Sequence, residues 1–566
     1  MLRAAGRAGN ARREPARGEA PGVAWTRVPG NLPSARLGGA GRGVGLFRCI
    51  ITTLVNYVNS TSQAVQLQRR GELGLPMLKP PAGDDDLNKL QSETNEADIF
   101  SMILKANKEL LESTGNKKIE HGDIVLDNSR NAMICRRSPK SCLWPSSEDR
   151  NVYVPYRLSR DYDNSERRTI KRSLHEIATF TCVKFYEPRR HKRAFVSVTA
   201  GAGCYAIVGF TGQQQILSLN QRSCLYFGII EHEFLHSIGF QHEHCRSDRD
   251  SYIRILWQNV MKNQAFNFDK LRTNNLGTKY DYTSIMHYGR YAFSKNRFPT
   301  LEPVDPNARI GQIRGLTTLD AYKINKLYNC DVCGQILNSK IGSITSPNFP
   351  GLYPNNLNCN WLIRIMDPYK IFLEFSVFRV HETGQCHDHL TIYDGANEHA
   401  HILDGPTCGA ENPAVISKRN ELLITFFSNW RSQAPGFVAA YKLTQCGITK
   451  KGKIGRVQSM SRLSLHNRCF WVVLIERNHQ VVLQLESFTI EESPNCTKSS
   501  LTIHDAARTP PTIAGMFCGK MKLPLLWTSF GRTVVIEFHY TPSAYIRQFK
   551  IRYHSIKSKC SKYTSL

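Results

Sequence analysis

HEFLHSIGFQH, residues 232–242, is the stretch of sequence that decides the fold. On a helix, His232 and His236 lie four positions apart and project from one face. Two neutral imidazoles at this spacing can bind one zinc ion, and Glu233 beside the first can serve as a base. Gly239 is typical of a residue that ends a helix in a left-handed turn, after which His242 can reach the same metal. Three histidines leave one tetrahedral position open to water, which predicts a catalytic zinc site instead of histidines that merely fill a buried helix.

A second stretch with chemistry is YTSIMHY, residues 282–288. Met286, in a tight turn near three histidines, can provide a soft apolar floor beneath a metal. The phenol of Tyr288 can bind zinc or donate a hydrogen bond to an oxyanion. Core packing is the alternative interpretation of this short motif, and the stretch alone does not decide between them.

Composition favours a large extracellular protein of several domains. The 566 residues predict roughly three to four domains. Hydrophobic residues make up 41% and charged residues 21%, which permits sizeable cores. The net charge of +27 is partly local, since residues 1–48 hold nine Arg against two Glu. Because no base-stacking motif or basic helical stripe accompanies this charge, it indicates a polyanionic extracellular partner or no specific partner, and not nucleic acid.

The cysteines indicate an oxidising compartment. There are 17, and most lack CxxC spacing, which favours disulfides over zinc clusters. The sequon Asn495-Cys496-Thr497 is consistent with secretion. No apolar run reaches the ~18 residues of a membrane span.

Residues 1–130 are predicted to precede the catalytic domain. Residues 1–64 are expected to be disordered, or to lie upstream of the true start. Within them, residues 44–64 form a weak signal region, too short and polar to be a convincing signal peptide. Residues 65–130 contain helical patterning and no cysteine, which fits a propeptide. Asp123 follows Gly122 and can occupy the open zinc position; an ordinary loop carboxylate is the alternative.

The positions of the cysteines divide residues 131–566 into further segments. Residues 131–330 have the size of one domain with mixed helical and strand patterning. Two segments, 333–443 and 446–556, repeat a pattern of paired cysteines about 110 residues apart, before a tail at 557–566. Between the cysteines, short runs alternate apolar and polar residues, which predicts antiparallel β-sandwiches.

The motifs HEFLHSIGFQHEHCRSDRD and SIMHYGRYAF resemble the astacin family of zinc endopeptidases, a branch of the metzincins. Residues 333–441 and 446–553 resemble CUB domains, and the arrangement resembles that of the hatching-enzyme subfamily. The resemblance implies an α+β zincin catalytic domain with a mixed sheet and an active-site helix, followed by two all-β CUB sandwiches.

The same resemblance implies residue roles. His232, His236 and His242 bind zinc, Glu233 is the general base, and Tyr288 is a switchable further ligand. Asp123 is the latency ligand, although Glu120 stands where the family motif often has an aromatic residue. Cleavage after Arg130 frees Asn131, whose amine interacts with Glu243. The implied disulfides are Cys135–Cys142, Cys182–Cys330, Cys204–Cys224, Cys333–Cys359, Cys386–Cys408, Cys446–Cys469 and Cys496–Cys518. Cys49, Cys245 and Cys560 stay unpaired, and Cys245 stands where the family usually has Thr.

The implied partners are extracellular. They are a protein substrate, an activating trypsin-like protease, and a protein or glycan docked on the CUB domains. Calcium in the CUB domains is doubtful: the first keeps Asp388 and Asp394, but Asn429 and His381 replace expected acids. The implied substrate is egg-envelope glycoprotein. A matrix or procollagen-processing protease is one alternative, in which Arg290 selects an acidic residue after the cut. A catalytically inactive, CUB-mediated binding protein is the other.

Overall fold

The computed structural model describes residues 98–112, 119–125, 142–190, 192–459, 468–507, 511–541 and 547–558. These residues contain four α-helices: α1 (Ile99–Glu112), α2 (Asn164–Phe180), α3 (Phe227–Ser237) and α4 (Thr318–Tyr328). Among the described residues, no helix is both long and apolar enough to cross a bilayer.

The catalytic domain is built on a mixed sheet. Its strands are β1 (Ile119–Glu120), β2 (Ile124–Val125), β3 (Val152–Leu158), β4 (Val183–Tyr186), β5 (Phe195–Thr199), β6 (Cys204–Ala206) and β7 (Gln214–Leu219). Within the described part of the chain they form a seven-stranded sheet of order β1-β2-β6-β7-β5-β3-β4. The inner strands β3, β5 and β7 run parallel, whereas β6 pairs antiparallel with β7. A small second sheet pairs β8 (Ile253–Ile255) with β9 (Leu301–Pro303).

The segment predicted to be a propeptide extends this sheet. Strand β2 continues the sheet beyond β6, with Ile124 opposite Ala206 in parallel register. Helix α1 packs against the core through Ile99, Phe100 and Ile103, which are almost completely buried. Residues 98–112 and 119–125 are therefore part of the folded catalytic unit.

Local sequence explains where the helices begin and end. Asp163 caps α2 by accepting hydrogen bonds from the amides of Ser165 and Glu166, and the Glu166 carboxylate in turn accepts from the amide of Asp163. Thr317 and Asp320 form the same reciprocal cap on α4. Such a capping box satisfies backbone donors that the first turn of a helix leaves free.

The first C-terminal repeat is a two-layer β-sandwich. Its strands are β10 (Cys333–Leu337), β11 (Ile341–Thr345), β12 (Asn358–Arg364), β13 (Lys370–Arg379), β14 (His389–Asp394), β15 (His401–Thr407), β16 (Ala414–Ile416), β17 (Glu421–Phe427) and β18 (Gly436–Thr444). One layer has the order β10-β12-β17-β14-β15 and the other β11-β18-β13-β16. Leu362, Leu423 and Ile336 of this sandwich join the catalytic core, which docks the two domains on each other.

The second repeat has the same design. Its strands are β19 (Gly447–Lys451), β20 (Ile454–Gln458), β21 (Arg468–Leu474), β22 (His479–Ile490), β23 (Ser500–Asp505), β24 (Thr512–Phe517), β25 (Leu525–Thr528), β26 (Thr533–His539) and β27 (Arg547–Lys557). Its layers have the orders β19-β21-β26-β23-β24 and β20-β27-β22-β25. The sandwiches share a core in which Phe372 stacks on Phe470, with ring centroids 4.6 Å apart. Arg532 also forms a two-pronged ion pair with Asp404, at 2.9 and 2.7 Å. The predicted fold class is confirmed: a mixed-sheet α+β domain followed by two all-β sandwiches.

Candidate metal centre

Helix α3 presents two of the predicted histidines and the predicted base on a buried face. Every residue from Gly228 to Ser237 is buried, as expected for a helix that passes through the middle of a domain. The helix ends at Ser237, and Gly239 follows with φ of +107°, a left-handed conformation that favours glycine. The amide of Phe240 then donates to the carbonyl oxygen of Leu235 at 3.0 Å, which turns the chain back toward the helix. His242 is thereby returned to the same face.

The three histidines converge on one point. His236 Nε2 lies 3.2 Å from His232 Nε2, which lies 3.3 Å from His242 Nε2. His232 Nδ1 faces the carbonyl oxygen of Ile285, and His236 Nδ1 faces that of Phe240, both at 2.8 Å. Because a carbonyl oxygen accepts and never donates, both Nδ1 atoms carry the proton. The Nε2 atoms of these two rings therefore direct lone pairs toward each other.

Asp123 completes the cluster. Its Oδ2 lies 3.0 Å from His232 Nε2 and 3.2 Å from His242 Nε2, and its Oδ1 lies 3.6 Å from His236 Nε2. The four ligand atoms lie within 4.8 Å of one another, and all four residues are buried. The structure thus brings together the three predicted metal ligands and the predicted latency ligand.

The approach of Asp123 depends on a tight turn between β1 and β2. His121 and Gly122 both have positive φ, of 51° and 84°. A Cβ on Gly122 would lie 2.6 Å from Phe100, so the close packing of the turn on α1 requires glycine. Asn107 of α1 fastens the turn, since its Nδ2 donates to the carbonyl oxygens of Gly122 and Cys204 at 2.8 and 2.6 Å. Sequence reasoning did not single out Asn107, because an Asn in a helix looks like any polar surface residue.

The cluster suits a cation. Burial lowers the pKa of His236, and it lowers that of His242 to about 3, so both rings are neutral at pH 7. Burial opposes ionisation of the Asp123 carboxyl, so its charged form needs a cation beside it. Oδ1 of Asp123 has no hydrogen-bond partner. Buried lone pairs and a carboxylate that face one another without a donor are unfavourable unless a cation lies between them, and three imidazoles with one carboxylate fit zinc.

Glu233 is a buried carboxyl group without a partner. Neither of its oxygens makes a hydrogen bond. Burial, with a smaller contribution from the charge of Asp123, raises the pKa of Glu233 well above its ordinary value. A desolvated carboxyl of high pKa beside a metal cluster is suited to take and return a proton.

The Met286–Tyr288 turn lies against the cluster. Asp320 holds it by accepting hydrogen bonds from the hydroxyl of Ser284 at 2.6 Å and the amide of Ile285 at 3.0 Å. The Ile285 carbonyl in turn orients His232. Met286 is buried, and its carbonyl oxygen accepts from the amide of Glu243 at 2.9 Å. This turn therefore connects helix α4 with both ends of the histidine cluster.

Tyr288 is directed toward the segment that carries Asp123. Its hydroxyl donates to the carbonyl oxygen of His121 at 2.5 Å. Its ring lies between Phe100 and His244, with centroid distances of 3.5 and 3.6 Å. Sequence reasoning placed Tyr288 near the metal but did not find Phe100, because the two residues are 188 positions apart and only tertiary packing joins them.

Glu243, the predicted partner of a freed amine at Asn131, already has basic neighbours. Lys323 Nζ donates to its Oε2 at 2.6 Å, Arg246 Nη1 to its Oε1 at 3.3 Å, and the amide of Asp281 to Oε1 at 2.8 Å. Arg130 and Asn131 lie outside the described residues. Sequence reasoning did not single out Lys323, which reaches Glu243 across 80 positions from α4.

The disulfides in the described residues match the implied pairing. Six bonds join Cys182–Cys330, Cys204–Cys224, Cys333–Cys359, Cys386–Cys408, Cys446–Cys469 and Cys496–Cys518. Cys142 is disulfide-bonded, and its implied partner Cys135 lies outside the described residues, as do Cys49 and Cys560. Cys245 is buried and free.

Comparison with known proteins agrees with this geometry. Residues 139–329 match the model of the Astacin peptidase family, and residues 333–441 and 446–553 each match the CUB domain model. Embryonic protein UVS.2 of Xenopus laevis is 35% identical over 459 residues, which cover 80% of this chain and 86% of that protein. Astacin-like metalloendopeptidase of Gallus gallus is 37% identical over 404 residues, 70% of this chain and 94% of that protein.

A solved structure and the family models complete the comparison. High choriolytic enzyme 1, a hatching enzyme zinc-protease from Oryzias latipes, is 45% identical, with a TM-score of 0.34, and covers 36% of this chain and 100% of its own. The peptidase match contains the three histidines and Glu233, and the zinc dependence of the family agrees with the donor set found here. The chain belongs to the astacin family of metalloendopeptidases and carries two CUB domains behind its peptidase domain.

Proposed function

We propose that this metalloendopeptidase is made as a latent zymogen, and that the structure represents the latent form. His232, His236 and His242 hold the zinc, and Asp123 takes the remaining position. The observation that carries the proposal is the buried Asp123 carboxylate, 3.0 to 3.6 Å from all three Nε2 atoms. Strand β2 supports it, since a strand paired with β6 occupies a sheet edge on which an extended peptide could otherwise bind.

Glu233 and Tyr288 have separate roles in the proposed reaction. Bound zinc supplies Lewis acidity, which polarises a scissile carbonyl and acidifies water. Glu233 takes the proton of the attacking water and later gives it to the leaving amine, a role for which its orphaned carboxyl group is suited. Once His121 has left, the Tyr288 hydroxyl loses its acceptor and becomes free to donate to the tetrahedral oxyanion.

Activation is proposed to follow cleavage after Arg130 by a trypsin-like protease. Removal of residues 65–130 takes away Asp123, strand β2 and helix α1 together. The new amine of Asn131 then pairs with Glu243, which lies directly after the third histidine. Glu243 is nearly fully buried, and its Oε2 accepts from Lys323 while Arg246 and the Asp281 amide donate to Oε1, which leaves acceptor capacity on Oε2 for the new amine.

The proposed domains are those expected from the sequence. Residues 1–64 come first and residues 65–130 form the propeptide. Residues 131–330 form the peptidase domain, 333–443 and 446–556 the CUB domains, and 557–566 a tail. We propose that the enzyme is secreted, since the disulfides of the described residues form and persist in oxidising compartments. A protein or glycan partner of the CUB domains belongs to the proposal. Calcium is no part of the proposal, because Asn429 and His381 stand where acidic ligands are expected and the Asn429 amide donates to Asp388.

The proposed substrates are egg-envelope glycoproteins. Low choriolytic enzyme of Oryzias latipes is 43% identical over 239 residues, 42% of this chain and 86% of that protein. Tolloid-like protein 1 of Homo sapiens is 31% identical over 393 residues, which cover 67% of this chain and 38% of that protein. The second relationship keeps a matrix or procollagen substrate as the alternative, in which Arg290 favours an acidic residue after the cut.

One experiment tests both levels of the proposal. The full chain is treated with trypsin and offered a peptide library, isolated egg envelopes and procollagen, with and without a zinc chelator. We expect chelator-sensitive cleavage of the library and release of envelope protein. Glu233→Gln is the matched control, which should keep its zinc and lose cleavage because only the proton acceptor is gone. Normal turnover by Glu233→Gln contradicts the mechanism, and cleavage of procollagen in preference to envelopes favours the alternative substrate.

A further inference from the structure

A second cluster of metal-binding side chains lies beside the histidine centre. It consists of His121, His244 and Cys245, all buried, whose ligand atoms lie within 4.8 Å of one another. Cys245 Sγ is 3.3 Å from His244 Nε2 and 3.7 Å from His121 Nδ1. The carbonyl oxygen of Asn267 faces the same two nitrogens, at 3.0 Å from His244 and 3.2 Å from His121. Because a carbonyl oxygen cannot donate, these two nitrogens either donate protons to it or, without those protons, share a cation with it and with the Cys245 sulfur.

The spacing of these donors is that of a tetrahedral metal site. Zinc–nitrogen bonds of about 2.0 Å and zinc–sulfur bonds of about 2.3 Å place tetrahedral ligands about 3.3 to 3.6 Å apart. Four contacts within the new cluster measure 3.0 to 3.7 Å, and its three side-chain donor atoms all lie within 4.8 Å of one another. The donors of the first centre span 3.0 to 3.6 Å in the same structure. The contacts measured in the two clusters therefore cover nearly the same range, and the side-chain donors of both fall within the same 4.8 Å.

The donor types also fit. One sulfur and two imidazole nitrogens are zinc ligands, the Asn267 carbonyl offers an oxygen as a weaker fourth donor, and a thiolate adds preference for a soft cation. Cys245 is the free cysteine of the described residues, while every other cysteine there is in a disulfide. Burial keeps Cys245 from exchanging with other thiols, so a free sulfur can persist there in an oxidising compartment.

The cluster joins two parts of the chain. His244 and Cys245 lie in a short 3₁₀ helix, Glu243–Cys245, and Asn267 in another, Lys262–Phe268. His121 comes from the turn that carries Asp123, between β1 and β2. An ion at this point would bind the propeptide and the catalytic domain at once.

We propose that His121, His244 and Cys245, with the Asn267 carbonyl, bind a second zinc ion that fastens the propeptide to the peptidase domain. The ion stabilises the latent form by mass action, because the site is complete only while His121 is in place. Loss of His121 leaves two side-chain ligands, and the ion is released. Only this release step depends on the proposed zymogen function; the binding itself does not.

The test measures metal content and thiolate coordination in the uncleaved full chain. Purified protein is dialysed against buffered zinc and analysed for metal, and a second sample is loaded with cobalt(II). We expect about two metal ions per chain, and a near-ultraviolet sulfur-to-cobalt charge-transfer band. The first centre has no sulfur donor, so this band reports the second site alone and needs no proteolytic activity.

Two variants keep the test decisive. Cys245→Ser removes the thiolate and should lower the metal content to about one ion per chain with loss of the band. His121→Asn should do the same, because Asn tolerates the positive φ of that position and keeps the carbonyl that Tyr288 uses. His399→Asn, on an exposed loop, is the control that should keep two ions and the band.

The outcomes separate the proposal from a simple hydrogen-bonded cluster. If both imidazoles only donate to the Asn267 carbonyl, the wild-type chain binds one ion, shows no band, and Cys245→Ser changes neither reading. That result overturns the second site. Trypsin treatment completes the test: release of one ion with loss of the band supports the proposed link to the propeptide, and retention of both overturns that link.

Discussion

Arg364 should be one of the most sensitive positions outside the metal centre. It lies on β12 of the first CUB domain, and its guanidinium reaches into the catalytic domain. Nη1 and Nη2 donate to the two oxygens of Glu176 on α2, both at 2.7 Å, and Nε donates to Glu421 at 2.8 Å. The side chains of Arg364 and Glu176 are each only 4% exposed. The perturbation is Arg364→Met, which keeps much of the volume and removes the charge.

The expected magnitude follows from burial. Breaking a buried ion pair by removing one partner costs roughly 3–5 kcal/mol, because the other charge remains buried and unpaired. After Arg364→Met, the carboxylate of Glu176 would remain buried without a cationic partner. Glu231, next to His232 on α3, would also lose a compensating charge: burial and the charge of Glu176 raise its pKa well above normal, and Arg364 works against that rise. The cost of the substitution should therefore lie in the upper part of the range.

The same helix offers a matched control. Lys171 of α2 pairs with Glu187 at 2.6 Å, but their side chains are 53% and 41% exposed. Exposed pairs contribute about 0–1 kcal/mol, since water and salt screen them. Two double-mutant cycles can therefore be compared: Arg364→Met with Glu176→Gln, and Lys171→Met with Glu187→Gln.

The assay is urea unfolding of the full chain in the Glu233→Gln background, which prevents self-cleavage. We expect a coupling energy of at least ~2 kcal/mol for Arg364 with Glu176 and below ~1 kcal/mol for Lys171 with Glu187. Hydrogen exchange of the α3 amides should accelerate in Arg364→Met alone. Equal coupling energies in the two cycles would refute the reasoning, because they would mean that Arg364 is solvated and that the first CUB domain is not docked in solution.

Three further predictions concern latency and the region around the metal. In an Arg130→Gln background that blocks activation, Asp123→Ala should raise hydrolysis of a short peptide about tenfold or more, because a charge-assisted contact of ~1.5–3 kcal/mol is lost. Asp123→Glu, which keeps a carboxylate, is the control. An Asp123→Ala chain that does not hydrolyse the peptide contradicts the latency role. Lys323→Met should destabilise the chain by roughly 2 kcal/mol or more in thermal unfolding, because Glu243 loses its closest cation and keeps Arg246 at 3.3 Å. The exposed Lys270→Met should cost less than ~1 kcal/mol. Burial lowers the pKa of His287 to about 4, below its value of about 6.5 in the unfolded chain. Between these pH values the unfolded state binds more protons, so the free energy of unfolding should fall as the pH drops from about 6.5 to 4. His287→Asn should flatten this part of the pH profile of stability, and an unchanged profile would contradict a neutral, buried His287.

The local parts of this molecule were predictable from the sequence. The spacing of His232, His236 and His242 with Gly239 between them led to the helix, its end and the converging rings, because helical period and glycine conformation are properties of neighbouring residues. Alternating apolar residues between paired cysteines led in the same way to two β-sandwiches. Asp123 was predicted to enter the zinc position through resemblance to a family, since a Gly-Asp pair alone is an ordinary turn.

The contacts between distant segments were not predictable. Arg364 meets Glu176 across 188 positions, and Lys323 meets Glu243 across 80. Such pairs depend on how whole elements dock, and a lone Arg or Lys in a sequence is usually solvated. The same is true of Phe100 against Tyr288 and of His121 near Cys245. Cys245 looked like an isolated departure from the family pattern until the structure placed two imidazoles beside it.

In the proposed zymogen, latency and catalysis use the same parts of the enzyme. The carboxylate of Asp123 faces the position at which a substrate and water would bind, strand β2 pairs with the outer edge of β6, and the His121 carbonyl holds the Tyr288 hydroxyl. Each contact of the propeptide therefore excludes one component of peptide hydrolysis. Because one continuous segment, helix α1 to strand β2, makes all three contacts, they form and dissociate together. The proposed cut after Arg130 would then release all three contacts at once, and the proposed second ion on Cys245 would stabilise them before the cut.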